Sequence, residues 1–317
     1  MNFKRPASTI EEVAATTQLA LPVRAASPLA LWHLLSLDAP TVAALWTWFI
    51  ARANGVRLPF AASAAMALAV WILYAADRLL DARLLDTRSF DPNRSDARDD
   101  SGLEARHLFH HRHRRAFSIG IALAAAALAA LLPRLDPAAI RLYLVEGALL
   151  VAWFVILHAT RNAHRLPKEI AVGLFFSAAV FIPTIARAPA LRPSLVPAAV
   201  LLAALCSLNC LFIYKWEHTG AAHAAIEPRT QPAHATTRLA LAHLPALAVI
   251  VAIAGSALAL FQPAARPASA ACALSAILLL ALDRNRLRLS RTHLRAAADL
   301  ALLTPLLFLP LLDLLSR

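Results

Sequence analysis

The chain has 317 residues, is 60% hydrophobic, has a mean hydropathy of +0.61 and carries only 16% charged residues. So many uninterrupted apolar runs exclude an ordinary soluble domain and point to a polytopic membrane protein. The net charge of +12 sits in the connections between those runs. It therefore reads as a topology signal, and with no soluble basic domain nucleic-acid binding is the weaker reading, so no nucleic-acid partner is expected.

Residues 1–28 are polar and mixed in sign, and read as a cytosolic arm before a single transmembrane domain over 29–317. Glu11 and Glu12 argue against a usual signal or transit peptide. A span needs roughly 17–25 apolar residues. Nine segments qualify, at about 29–51, 60–80, 116–133, 139–158, 168–186, 195–215, 238–262, 266–283 and 296–314. The fold class is thus all-α, a polytopic membrane bundle of about nine transmembrane helices. With the N-terminus inside and strict alternation, 23 of the 31 Lys and Arg fall on the inner side and 8 on the outer. That bias predicts an N-in, C-out protein of a cytoplasmic membrane, the bacterial inner membrane. Cys206, Cys210 and Cys272 lie in apolar runs without a disulfide or CxxC pattern and read as small core residues.

The second span ends in Tyr74-Ala75-Ala76-Asp77-Arg78-Leu79-Leu80-Asp81. On a helix Asp77 and Asp81 share a face, with Tyr74 one turn earlier. Two carboxylates one turn apart at a bilayer edge repel unless a cation lies between them, which makes the pair a candidate Mg²⁺ site facing a diphosphate. The same acids also suit an interfacial network with Arg78 and Arg83.

The histidines His107, His110 and His111 have the spacing of one iron-binding box of membrane oxygenases. No second and third box accompany them, and the surrounding arginines make a solvated basic segment at the lipid surface the expected form. After span four, Arg161, Arg165 and Lys168 recur at helical spacing. They suit either phosphate binding or an ordinary inner loop. Near the end of span six stand Asn209, Lys215 and Glu217. Glu217 could complete a metal shell and Lys215 could meet phosphate; equally, Lys215 could snorkel beside an aromatic belt of Tyr214 and Trp216. Asp299, within span nine, is expected to pair with a neighbouring arginine and to serve structure.

Taken together, the nine spans, the Asp77-Arg78-Leu79-Leu80-Asp81 motif after span two, the basic 4–5 loop followed by Lys168-Glu169-Ile170-Ala171-Val172-Gly173, and the polar end of span six resemble the UbiA superfamily of intramembrane prenyltransferases. Asp77 and Asp81 match the last two acids of that family's first motif, while Leu73 and Tyr74 stand at its first two polar positions and His158 where a Tyr is expected. The resemblance implies Mg²⁺-dependent transfer of an isoprenyl group from a lipid diphosphate to a lipophilic acceptor. It gives Asp77 and Asp81 the catalytic role, and Asp77, Asp81 and Glu217 the metal. Tyr74, Arg78, Arg161, Arg165, Lys168, Asn209 and Lys215 become substrate contacts. The incomplete motifs keep open a non-catalytic relative that binds or transports a lipid or lipid phosphate.

Overall fold

The computed structural model describes residues 28–88, 109–110, 112–159, 168–218 and 235–315. All their regular structure is helical. We number the helices α1 (Pro28–Leu34), α2 (Asp38–Ala53), α3 (Phe60–Arg88), α4 (Arg114–Leu131), α5 (Pro137–Ala159), α6 (Lys168–Arg187), α7 (Arg192–His218), α8 (Ala235–Ala242), α9 (Leu244–Phe261), α10 (Arg266–Arg284), α11 (Arg291–Leu300) and α12 (Pro305–Leu315). Six segments among the described residues are long and apolar enough to cross a membrane: Phe60–Leu80, Arg114–Arg134, Lys168–Arg187, Pro189–Glu217, Leu244–Phe261 and Arg266–Arg284. These six are compatible with an integral membrane protein.

The first and ninth expected spans are broken. The first turns a corner between α1 and α2 at Ser36, whose φ of 57° lies in the left-handed region. Its second piece, α2, has 16 residues, about 24 Å of helix against a hydrocarbon core of about 30 Å. The ninth is interrupted by a 3₁₀ turn over Ala301–Leu303, just before Pro305. Proline cannot donate the hydrogen bond an uninterrupted helix requires there. The expected spans run straight over both breaks.

The helices pack through small residues. A Cβ on Gly173 of α6 would lie 2.2 Å from Ser207 Oγ and 2.4 Å from the Ala203 carbonyl of α7. On Gly255 of α9 it would lie 2.8 Å from the Ser269 carbonyl of α10. Lipid tails give helices no hydrophobic reason to associate, so such backbone approach supplies the van der Waals contact instead. Trp46, Phe49, Ile50, Leu202, Leu205 and Phe212 form the buried centre. Leu123, Leu144, Leu149, Ile253 and Phe261 point outward, as a lipid-facing surface requires. The three cysteines are free, two buried and Cys210 partly so.

Two bonds tie the last helices back to the rest. The Trp46 indole N–H donates to the Leu302 carbonyl at 2.9 Å, answering an acceptor freed by the helix break. Thr304 Oγ1 donates to the Ala271 carbonyl at 2.9 Å and lies 2.7 Å from Ser275 Oγ.

Candidate functional site

The polar groups of the bundle gather where the α1–α2 corner meets the ends of α3, α7 and α11. The corner is built by Ser36, whose amide donates to the His33 carbonyl at 3.0 Å and whose left-handed φ turns the chain. Asp38 opens α2, and an acid in the first turn is favoured by the helix dipole. The buried Asp38 carboxylate accepts the Ala39 amide at 3.0 Å and lies 2.5 Å from the buried His33 Nδ1. Both residues stand outside the six apolar helices. Burial pushes the His33 imidazole below its usual value despite the pull of Asp38. Burial is the largest influence on Asp38 and works against its charge, but the His33 hydrogen bond, the His33 and Arg78 charges and the Ala39 amide together outweigh it, and Asp38 titrates below the usual carboxylate range.

The middle of α3 is anchored to this corner by the Trp71 indole, which donates to the Leu35 carbonyl at 3.0 Å. Trp71 also stacks near Phe117 of α4, where the bare backbone of Gly120 leaves room for the ring. About two helical turns beyond Trp71, the sequence motif divides. Asp77 is exposed, whereas Arg78 is 6% exposed and turns inward with the partly buried Tyr74. Arg78 interacts electrostatically with Asp38, Asp299, Tyr74 and Arg295. Its Nε and Nη1 are buried without a hydrogen-bond partner among the described residues. The side chain of Asp81 lies outside the described residues.

From α7, the buried Asn209 donates through Nδ2 to Asp299 Oδ1 of α11 at 3.0 Å. Its Oδ1 is buried and has no partner among the described residues. Asp299 thus hydrogen-bonds an amide, while Arg78 and Arg295 act on it electrostatically. His33, Asp38 and Asp299 each present a ligand atom within 4.8 Å of one another. They form the one group of three such side chains among the described residues.

The remaining expected contacts divide as follows. Glu217 accepts a hydrogen bond from Arg295 of α11. Lys215 donates to both carboxylate oxygens of Asp283, at 3.1 and 2.9 Å, and the Trp216 indole donates to the same acid at 2.8 Å. Lys215 is thus a strut between α7 and α10, joined by Arg286 at 3.1 Å from Asp283. Lys168 is exposed at the start of α6, where Glu169 accepts from Thr237 at 3.2 Å. Arg161 and Arg165, and the histidines His107 and His111, lie outside the described residues. His110 departs from the expected solvated segment: it is fully buried, stacked on Phe117 with centroids 4.3 Å apart, and 3.4 Å from Ser36 Oγ.

His33 and Asp38 were not singled out in the sequence. The signal available was an ionisable pair inside an apolar run, which is costly unless partnered. Compared with known proteins, the chain matches no family model, no curated protein and no solved structure.

Proposed function

We propose that this chain is a UbiA-like intramembrane prenyltransferase that takes an isoprenyl diphosphate with its headgroup against Arg78. The observation that carries the reading is the buried guanidinium with two unanswered nitrogens. Asp38 and Asp299 offset part of its charge, but buried donors left without acceptors are costly, so this geometry asks for a further anion. A guanidinium also offers the fork that suits phosphate oxygens. Arg78 sits at the end of an apolar helix, so a lipid tail has hydrocarbon beside it and a headgroup has donors.

In the reaction, the bond between C1 of the allylic chain and its bridging oxygen breaks, and diphosphate leaves with the electron pair. The acceptor's nucleophilic atom forms the new bond to C1 and gives up its proton. Arg78 stabilises the charge gathering on the leaving oxygens. Arg161, Arg165 and Lys168 would help offset that negative charge from the 4–5 connection, Tyr74 lines the same side as Arg78, and Asn209 faces it from α7. Mg²⁺ belongs to the proposal as the ion that would neutralise departing diphosphate. Asp77 and Asp81 are the residues that would hold it, whereas Glu217 would first have to leave Arg295. The inner-membrane location and inward N-terminus belong to the same reading.

Purified full-length protein supplied with farnesyl diphosphate, Mg²⁺ and a lipid extract as acceptor source tests this. The expected result is release of diphosphate, abolished in Asp77→Ala, with substrate binding weakened more than about tenfold in Arg78→Ala, in line with loss of a charged hydrogen bond. Unchanged binding in Arg78→Ala overturns the site. A second reading, a non-catalytic binder of lipid phosphates, is favoured by the outward Asp77 and the Arg295-bound Glu217. It predicts Arg78-dependent binding that survives EDTA, with no turnover.

A further inference from the structure

We propose that His33, Asp38 and Asp299, with the Asn209 carboxamide oxygen, form a site for a first-row divalent cation at the α1–α2 corner. It lies inside the bundle, apart from the outward-facing Asp77, and it does not depend on prenyl transfer. The three ligand atoms already stand within 4.8 Å of one another, a spacing a single ion can bridge with small adjustments. His33 and Asp38 are five residues apart across the corner, whereas Asp299 comes from α11, so the third ligand is brought in by the fold and not by local spacing.

A second observation points to a cation independently. Asn209 is 6% exposed, and its Nδ2 is fixed on Asp299, which holds the amide head at the cluster. Its Oδ1, an obligate acceptor, is left with nothing to accept among the described residues. A cation supplies what that oxygen lacks. It also offsets the repulsion that two such close acids have when both are ionised. The donor set is one imidazole nitrogen, two carboxylate oxygens and one carboxamide oxygen. Imidazole favours transition metals, and oxygen ligands favour harder ions, so the mixture suits Mn²⁺ or Zn²⁺ over Ca²⁺. Four protein ligands leave an octahedral ion two open positions. The nearby Arg78 then serves whatever oxyanion occupies them.

The probe is Mn²⁺ added to the purified, substrate-free full chain in detergent, followed by electron paramagnetic resonance. One ion per chain is expected, with pulsed spectra carrying nitrogen-14 modulation from a directly bound imidazole. His33→Gln removes that modulation, and Asp38→Asn or Asp299→Asn weakens binding more than about tenfold. Bound Mn²⁺ without nitrogen modulation in the wild type places the ion elsewhere and overturns the proposal. So does the absence of stoichiometric binding, which would make the three groups a hydrogen-bonded carboxyl–imidazole network. Both decisive readouts come from the wild type, so a variant that fails to fold does not remove the test. Failure of farnesyl diphosphate turnover with these signals intact would count against the proposed function alone.

Discussion

At the scale of single residues, adjacent side chains in one motif have opposite fates. Asp77 and Arg78 are neighbours, yet a helix separates them by about 100° around its axis. Packing turned the arginine inward and left the acid outside. Sequence reasoning gave the central role to the acids because their spacing is what a motif displays. Which face is buried is decided by Trp71 on the corner and by Tyr74 one turn on, and spacing does not carry that. Asp283 shows the same principle in a structural role, since three donors from two helices converge on it. Asp283→Ala strands the Lys215 ammonium and the Trp216 indole, and should cost about 2 kcal/mol. A lowered melting temperature of the detergent-solubilised protein checks this, with Mn²⁺ binding unchanged. A melting temperature equal to wild type would mean that the contacts to Asp283 add nothing to stability.

At the scale of helices, the tightest approach is at Gly173, where even one methyl group collides with Ser207 and with backbone. Gly173→Ala must push α6 from α7 and should destabilise by about 1–3 kcal/mol. Gly147→Ala, at a helical glycine with nothing within 4 Å, should be neutral or stabilising by up to about 1 kcal/mol. Equal thermal shifts for the two would show that α6 and α7 do not pack through Gly173. Six apolar helices were legible because twenty-residue runs of Ala, Leu and Val admit no other structure in lipid. The broken ends were not legible. Ser36 gives no sequence sign of a left-handed turn, and Pro305 looks like one more tolerated proline in an apolar run. The candidate site was half legible for the same reason. Arg78 and Asn209 could be read from helix-end motifs, whereas His33 and Asp38 owe their position to the corner at Ser36.

At the scale of the molecule, the polar cluster and the short connection Asn54–Pro59 belong to opposite ends of α2. Arg57 is exposed in that connection, and Leu287 is exposed beyond α10 on the side of Asp283. An impermeant maleimide should label Arg57→Cys in intact spheroplasts and Leu287→Cys only after permeabilisation. The native cysteines, two buried and one half-buried, should contribute little background. Labelling of both from the outside would refute the inward placement of the polar end.

The link from Trp46 to Leu302 spans 256 residues of sequence, and the ligand atoms of the corner meet Asp299 over a comparable distance. A nascent chain therefore inserts its first helices long before their partners leave the ribosome. Until release, Arg78, Asp38 and the Trp46 indole face the bilayer or the insertion machinery with their final contacts unmade. Biogenesis of this protein should depend on a factor that shelters polar groups within the membrane, and chains arrested before α11 should be the preferred prey of membrane proteases.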